Sequence, residues 1–128
     1  MARRRSIHVE GYSHQNPIPA ASRVGNVIVS SVISAVDPTS GETPESLEAQ
    51  CEVVFANIRR IVEAAGASTE DIVKVGIFMT DPSQRAAMNR FWVEMFPDED
   101  ARPARHTQPE QLPPPRLIAA DFIALAPD

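Results

Sequence analysis

Cysteine occurs once in the 128 residues, at Cys51. No intrachain disulfide and no cysteine-based zinc site can be built from it. Lysine is as scarce, since Lys74 stands alone among 12 basic residues and arginine supplies the rest. Schiff-base chemistry would fall to that one residue, whose place in a strand pattern points it outward. Apolar runs long enough to span a membrane are missing. Met1-Ala2-Arg3-Arg4-Arg5 is followed by polar sequence with no apolar stretch, so the protein is read as cytoplasmic. Neither a glycine-rich phosphate loop after a strand nor a Gly-x-Ser-x-Gly nucleophile elbow occurs. A net charge of −5 and 5% aromatic residues speak against nucleic acid as the main partner.

What is present is an ordinary globular mixture, 43% hydrophobic and 23% charged. Disorder is excluded for most of the chain, and its length suits one domain over residues 1–128. Residues 1–5 are expected to form a flexible basic tail. The 12 prolines are scattered at element ends and punctuate one domain rather than dividing two.

Residues 6–9 suit a short strand, and the Pro17 and Pro19 segment an extended loop. Residues 27–36, rich in β-branched side chains, read as a strand, followed by a turn at Asp37-Pro38-Thr39-Ser40-Gly41. A helix follows, with Thr43 as cap, Pro44 at its first position and Gly66 as its stop. Leu47, Cys51, Val54, Phe55, Ile58, Ile61, Val62 and Ala65 form its apolar stripe, which makes Cys51 a core thiol. Residues 72–79 form a strand with Val73, Val75, Ile77 and Met79 on one side and Lys74, Gly76 and Phe78 on the other. Asp81-Pro82 opens a second helix ending before Pro97, with Trp92 on its packing side. Two extended segments close the chain, residues 104–108 and 116–125. The order gives an α/β sandwich, a mixed sheet with two helices on one face. Apolar residues fall on both sheet faces, so a copy of the chain is expected to cover the open one.

Asp121 sits inside an apolar strand, where an unpaired carboxylate is costly. It is either ion-paired to an arginine or an acid/base group at a pocket floor. Arg105, in Arg102-Pro103-Ala104-Arg105-His106-Thr107, carries a fork that fits a carboxylate, whether that of Asp121 or of a substrate. His14 and His106 show no ligand spacing on one element, so no metal is expected. Ser30 and Ser31 read as strand residues rather than nucleophiles.

Several runs together resemble the RidA/YjgF family of reactive intermediate deaminases. They are Gly25-Asn26-Val27-Ile28-Val29-Ser30-Ser31, Asp37-Pro38-Thr39-Ser40-Gly41-Glu42, Ala56-Asn57-Ile58, Ile61-Val62-Glu63-Ala64-Ala65-Gly66, Ile72-Val73-Lys74-Val75, Met88-Asn89 and Arg102-Pro103-Ala104-Arg105. The resemblance runs from about residue 17 to 125. It implies a chorismate-mutase-like subunit in a homotrimer, with helix-free sheet faces packed centrally and ligand clefts between subunits. It implies hydrolysis of enamines and imines such as 2-aminoacrylate to a 2-keto acid and ammonia, without metal or organic cofactor. Arg105 falls where the family holds the substrate carboxylate, and Asp121 where it has a glutamate that holds water. Asn89 and the backbone N–H of Thr107 join the expected binding set.

The chain departs from the family pattern at Val32, where a glycine is usual, at Ile18, where a tyrosine is usual, and at His106-Thr107, where Ser-Cys is common. His106 either moves protons near neutral pH or faces solvent. The expected function is deamination of a 2-imino acid or enamine, with a small carboxylate-bearing substrate as partner. The alternatives are a non-catalytic trimer that binds a small carboxylate and, behind it, a ribonuclease.

Overall fold

The computed structural model describes residues 3–12 and 16–127. His14 lies outside them. Strands β1 (Arg4–Ile7), β2 (Ala21–Val24) and β3 (Val27–Ser30) come first, followed by α1 (Leu47–Ala64) and β4 (Ile72–Met79). Then come α2 (Arg85–Met95), β5 (Ala104–Pro109) and β6 (Ile118–Leu125). All six strands form one sheet in the order β1-β2-β3-β6-β4-β5. Only the β4–β5 pair is parallel, and α2 makes the crossover between its strands. The expected mixed sheet with two helices is therefore the fold.

Alternation along the central strands builds the core. Val75, Ile77 and Met79 of β4 lie beside Phe122, Ala120 and Ile118 of β6, all nearly inaccessible to solvent. They meet the α1 stripe of Val54, Ile58, Ile61 and Val62, with Met88 of α2 in the same cluster. Cys51 is in this core. Burial, aided by the charge of Glu48, pushes its thiol up to about 11, so it is no nucleophile at neutral pH.

Four sequence expectations need correction. Arg4 and Arg5 are not tail, because they pair with Val24 and Arg23 in the β1–β2 ladder. Helix α1 begins after Ser46, not at Thr43-Pro44. Ser46 has extended backbone and its Oγ accepts the Ala49 N–H at 3.1 Å, which makes it the cap. Val73 does not share the core side of β4. A register shift between Ile72 and Lys74 turns it out, leaving it 52% exposed. Strand β3 ends at Ser30 rather than Val36.

That early end has a local cause. Val29 pairs with Ile123, and the next bridge joins Ile33 to Ala120. Three residues, 30–32, thus face two, 121 and 122. The chain bulges there, and Ser30 Oγ accepts the Phe122 N–H at 2.9 Å in place of a main-chain carbonyl. Beyond the bulge, Asn57 Nδ2 of α1 donates to the carbonyls of Ser34 and Val36, each at 3.0 Å, so a side chain replaces the missing ladder.

Gln50, fully buried in the first turns of α1, works the same way where β6 begins. Its Nε2 donates to the carbonyls of Pro44 and Pro115, and its Oε1 accepts the Leu117 N–H at 2.8 Å. Gln50→Leu preserves volume and strands all three main-chain groups. It should lower unfolding free energy by about 2–4 kcal/mol in urea denaturation. A loss below ~1 kcal/mol would show that water replaces the amide.

Candidate functional site

Strand β5 is an edge strand, and Arg105 on it stands beside Val75, on the side covered by helices. Its guanidinium runs under α2. Nη1 donates to Asn89 Oδ1 at 2.8 Å and lies 3.5 Å from Met88 Sδ. The guanidinium carbon sits 5.0 Å above the Trp92 ring centroid. Asn89 and Trp92 share one face of α2 at a spacing of three, which lets one turn hold one arginine. Trp92 is itself fixed by Phe96, with centroids 4.8 Å apart. Among the described residues no carboxylate lies within ion-pair distance of Arg105. Burial first, and then the charge of Arg85, lowers its pKa from the ordinary arginine value. It stays cationic at any physiological pH. Thr107, two residues along the same side of β5, has a buried Oγ1 with no hydrogen-bond partner among the described residues. The edge thus presents a pre-oriented cation whose remaining donors, with Thr107, suit an anion's oxygens.

Asp121 is elsewhere. It pairs with Gly76, and Gly76 pairs in turn with His106, so these three form a row across the helix-free face. Asp121, Gly76, Lys74, Val29, Ser30, Phe122 and Ile123 line a recess of about 210 Å³. The carboxylate lies back over Gly76, where a Cβ would collide with Asp121 Oδ1. Burial raises the Asp121 pKa, against the opposing effects of a hydrogen bond from the Gly76 backbone and the charge of Lys74.

Asp121 and Arg105 therefore do not pair. The row of Arg105, Val75 and Phe122 faces the helices, and the adjacent row of His106, Gly76 and Asp121 faces away. Among the described residues the ion-pair alternative fails, and the two side chains stand on opposite faces of the sheet. Asn89 lies with Arg105, accepting its hydrogen bond. His106 is exposed on the Asp121 side. Ile18 and Val32, at 45% and 51% exposure, line neither place. Their segments are tied together, since Ser31 Oγ donates to the Pro19 carbonyl at 2.8 Å.

Sequence reading missed the roles of Trp92 and Gly76. An aromatic three residues after Asn89 and a glycine inside an apolar strand were the available signals.

The description "Endoribonuclease L-PSP" belongs to the family model that matches residues 11–125. A 2-iminobutanoate/2-iminopropanoate deaminase of Escherichia coli K12 is 35% identical over 104 residues, 80% of this chain and 81% of the relative. A RutC family protein of Pyrococcus abyssi is 36% identical over 110 residues, 84% and 85% of the two chains. The crystal structure of the E. coli YjgF gene product superposes with a TM-score of 0.86 at 31% identity, covering 94% of this chain and 98% of that one. E. coli TdcF with bound serine gives 0.88 at 26% identity, covering 96% and 99%.

The raised Asp121 pKa fixes a pH dependence. The folded state holds this proton more tightly than the unfolded chain, so its contribution is fully present below the ordinary aspartate range. It is lost as pH rises through the folded value. Asp121→Asn should therefore stabilise the protein at pH 7, and the gain should vanish near pH 3. Denaturation at both pH values checks this; a variant less stable at pH 7 would mean that the carboxylate is favourably paired.

Proposed function

The chain belongs to the RidA/YjgF family, and we propose that it hydrolyses a 2-imino acid or its enamine tautomer to a 2-keto acid and ammonia. Relatives named as imine deaminases, about 35% identical to this chain, support that activity at the level of the family. The observation that carries the reading here is the Arg105 guanidinium, fixed by Asn89 and Trp92 with no ion-pair partner among the described residues. A substrate carboxylate is the natural partner of such a fork.

Asp121 is the water-holding group. Water adds to the imine carbon, and the carboxylate takes its proton. The proton passes to nitrogen and gives a carbinolamine; the carboxylate then takes the hydroxyl proton and delivers it to the amine, the C–N bond breaks and ammonia leaves as the carbonyl forms. A carboxyl with a raised pKa is suited to both transfers. Thr107 and Asn89 complete the anion end, and His106, across Gly76 from Asp121, belongs to the acid/base end.

Because Arg105 and Asp121 lie on opposite faces of one sheet, this mechanism requires Arg105 of one subunit to meet Asp121 of another. Val27, Val29, Ile123 and Leu125 support such an assembly. They form an apolar row on the helix-free face beside the Asp121 recess and are 40–54% exposed in the single chain. A homotrimer that covers this face in each subunit buries them and closes the cleft.

Ammonia release from 2-aminoacrylate, generated in situ by a PLP-dependent lyase, tests the reading. The wild type should accelerate it. Arg105→Ala should lower kcat/KM by about 10²–10³ through KM, and Asp121→Asn should lower kcat by about 10²–10⁴. No acceleration, with pyruvate binding that Arg105→Ala abolishes, would replace the enzyme by a carboxylate-binding protein. A monomer at micromolar concentration in sedimentation would remove the shared site.

A further inference from the structure

Three arginines gather at the sheet edge farthest from Arg105. Arg3, Arg5 and Arg23, with Gly25, line a recess of about 510 Å³. Arg5 of β1 and Arg23 of β2 stand directly opposite each other in the ladder. Like charges so placed repel. One of the three is accounted for by the fold. Arg23 Nη1 donates to the Ala65 carbonyl at the end of α1 at 2.7 Å, and its Nε to the Gly25 carbonyl at 2.8 Å. It satisfies an orphan helix carbonyl and sits at the negative end of the helix dipole. Those bonds also lock its position. Arg3 and Arg5 have no such employment. Among the described residues the ion pairs are those of Arg90 with Glu48 and Glu94, so no carboxylate neutralises the cluster.

We propose that this recess binds an oligophosphate, an anion with two or more linked phosphate groups. Three guanidiniums call for a multivalent partner, since a single carboxylate would leave two charges uncompensated. Guanidinium forks match phosphate oxygens in pairs. The volume falls in the range of small-ligand sites. A long nucleic acid is a poorer occupant. The recess is lined by arginines and a glycine, with no aromatic side chain for base stacking. The chain carries −5 overall, so an extended polyanion would soon meet acidic surface. Strands β1 and β5 are opposite edges of the sheet, so this site is separate from Arg105.

Calorimetric titration of the full chain with inorganic pyrophosphate and tripolyphosphate, at matched ionic strength, tests the proposal. Both should bind at least about tenfold tighter than orthophosphate. Arg5→Gln and Arg3→Gln should each weaken binding by about tenfold or more. Arg105→Ala should leave it unchanged. ADP titrated alongside assigns the source: tighter binding than pyrophosphate points to a nucleotide, and equal or weaker binding to the inorganic anion. Pyrophosphate should also raise the Tm of the wild type and not that of Arg5→Gln, a readout independent of binding heats. Millimolar pyrophosphate without effect would overturn the proposal. So would binding lost in Arg105→Ala and kept in Arg5→Gln, or an RNA oligonucleotide bound more tightly than tripolyphosphate.

Discussion

Period-two alternation along β4, β5 and β6 governs what this chain can do alone. Neighbouring residues in a strand point to opposite faces, so the cross-strand row of Arg105, Val75 and Phe122 belongs to the helix side. The next row, His106, Gly76 and Asp121, belongs to the other. No side-chain movement within the sheet brings residue 105 to residue 121. A one-residue slip of register would invert every core side chain, so the separation is as firm as the core itself. The proposed mechanism therefore needs Arg105 and Asp121 to meet across a boundary between two copies of the chain.

Each half is shaped by what its neighbours omit. Gly76 has no Cβ, and the Asp121 carboxylate occupies the space a Cβ would need. The bulge at residues 30–32 removes main-chain pairing beside the same carboxylate, and Ser30 Oγ makes good the one N–H this would strand. The recess is thereby polar at its floor and apolar at its rim, with Val29 and Ile123 at its sides. On the arginine side, Asn89 takes one donor and Trp92 one face. The guanidinium is oriented without being neutralised, as an anion site requires.

Architecture was legible in the sequence because its signals are redundant. The α1 stripe, the proline and glycine punctuation and the apolar strands all gave the same element order. Ends were less legible. Ser46, rather than Thr43, caps α1 through its bond to the Ala49 N–H, and β3 stops at Ser30 because its continuation is held by Phe122 and Asn57, far along the chain. Arg105, Asn89 and Asp121 were visible as chemistry-bearing residues. Their separation was not, because the face a strand residue takes depends on registers fixed only when β4 lies between β5 and β6. Glycine inside a strand carries no charge or ring to draw notice, so Gly76 passed as filler.

The near-absence of lysine gains a physical meaning in this setting. Arg23 and Arg105 are both held by two contacts at once, a carbonyl pair for the first and an amide with a ring for the second. A planar fork can satisfy fixed partners through some of its N–H groups and still present others outward, whereas an ammonium offers three donors from one rotating point. The sheet uses that property at both edges. At β5 a single half-buried arginine is fixed by Asn89 and Trp92, which suits a small monoanion. At β1 and β2 one locked arginine is joined by two exposed ones with no ion-pair partner among the described residues, which suits a ligand of higher charge. The difference in valence between the edges follows from how many guanidiniums converge, and the sheet order keeps the two settings apart.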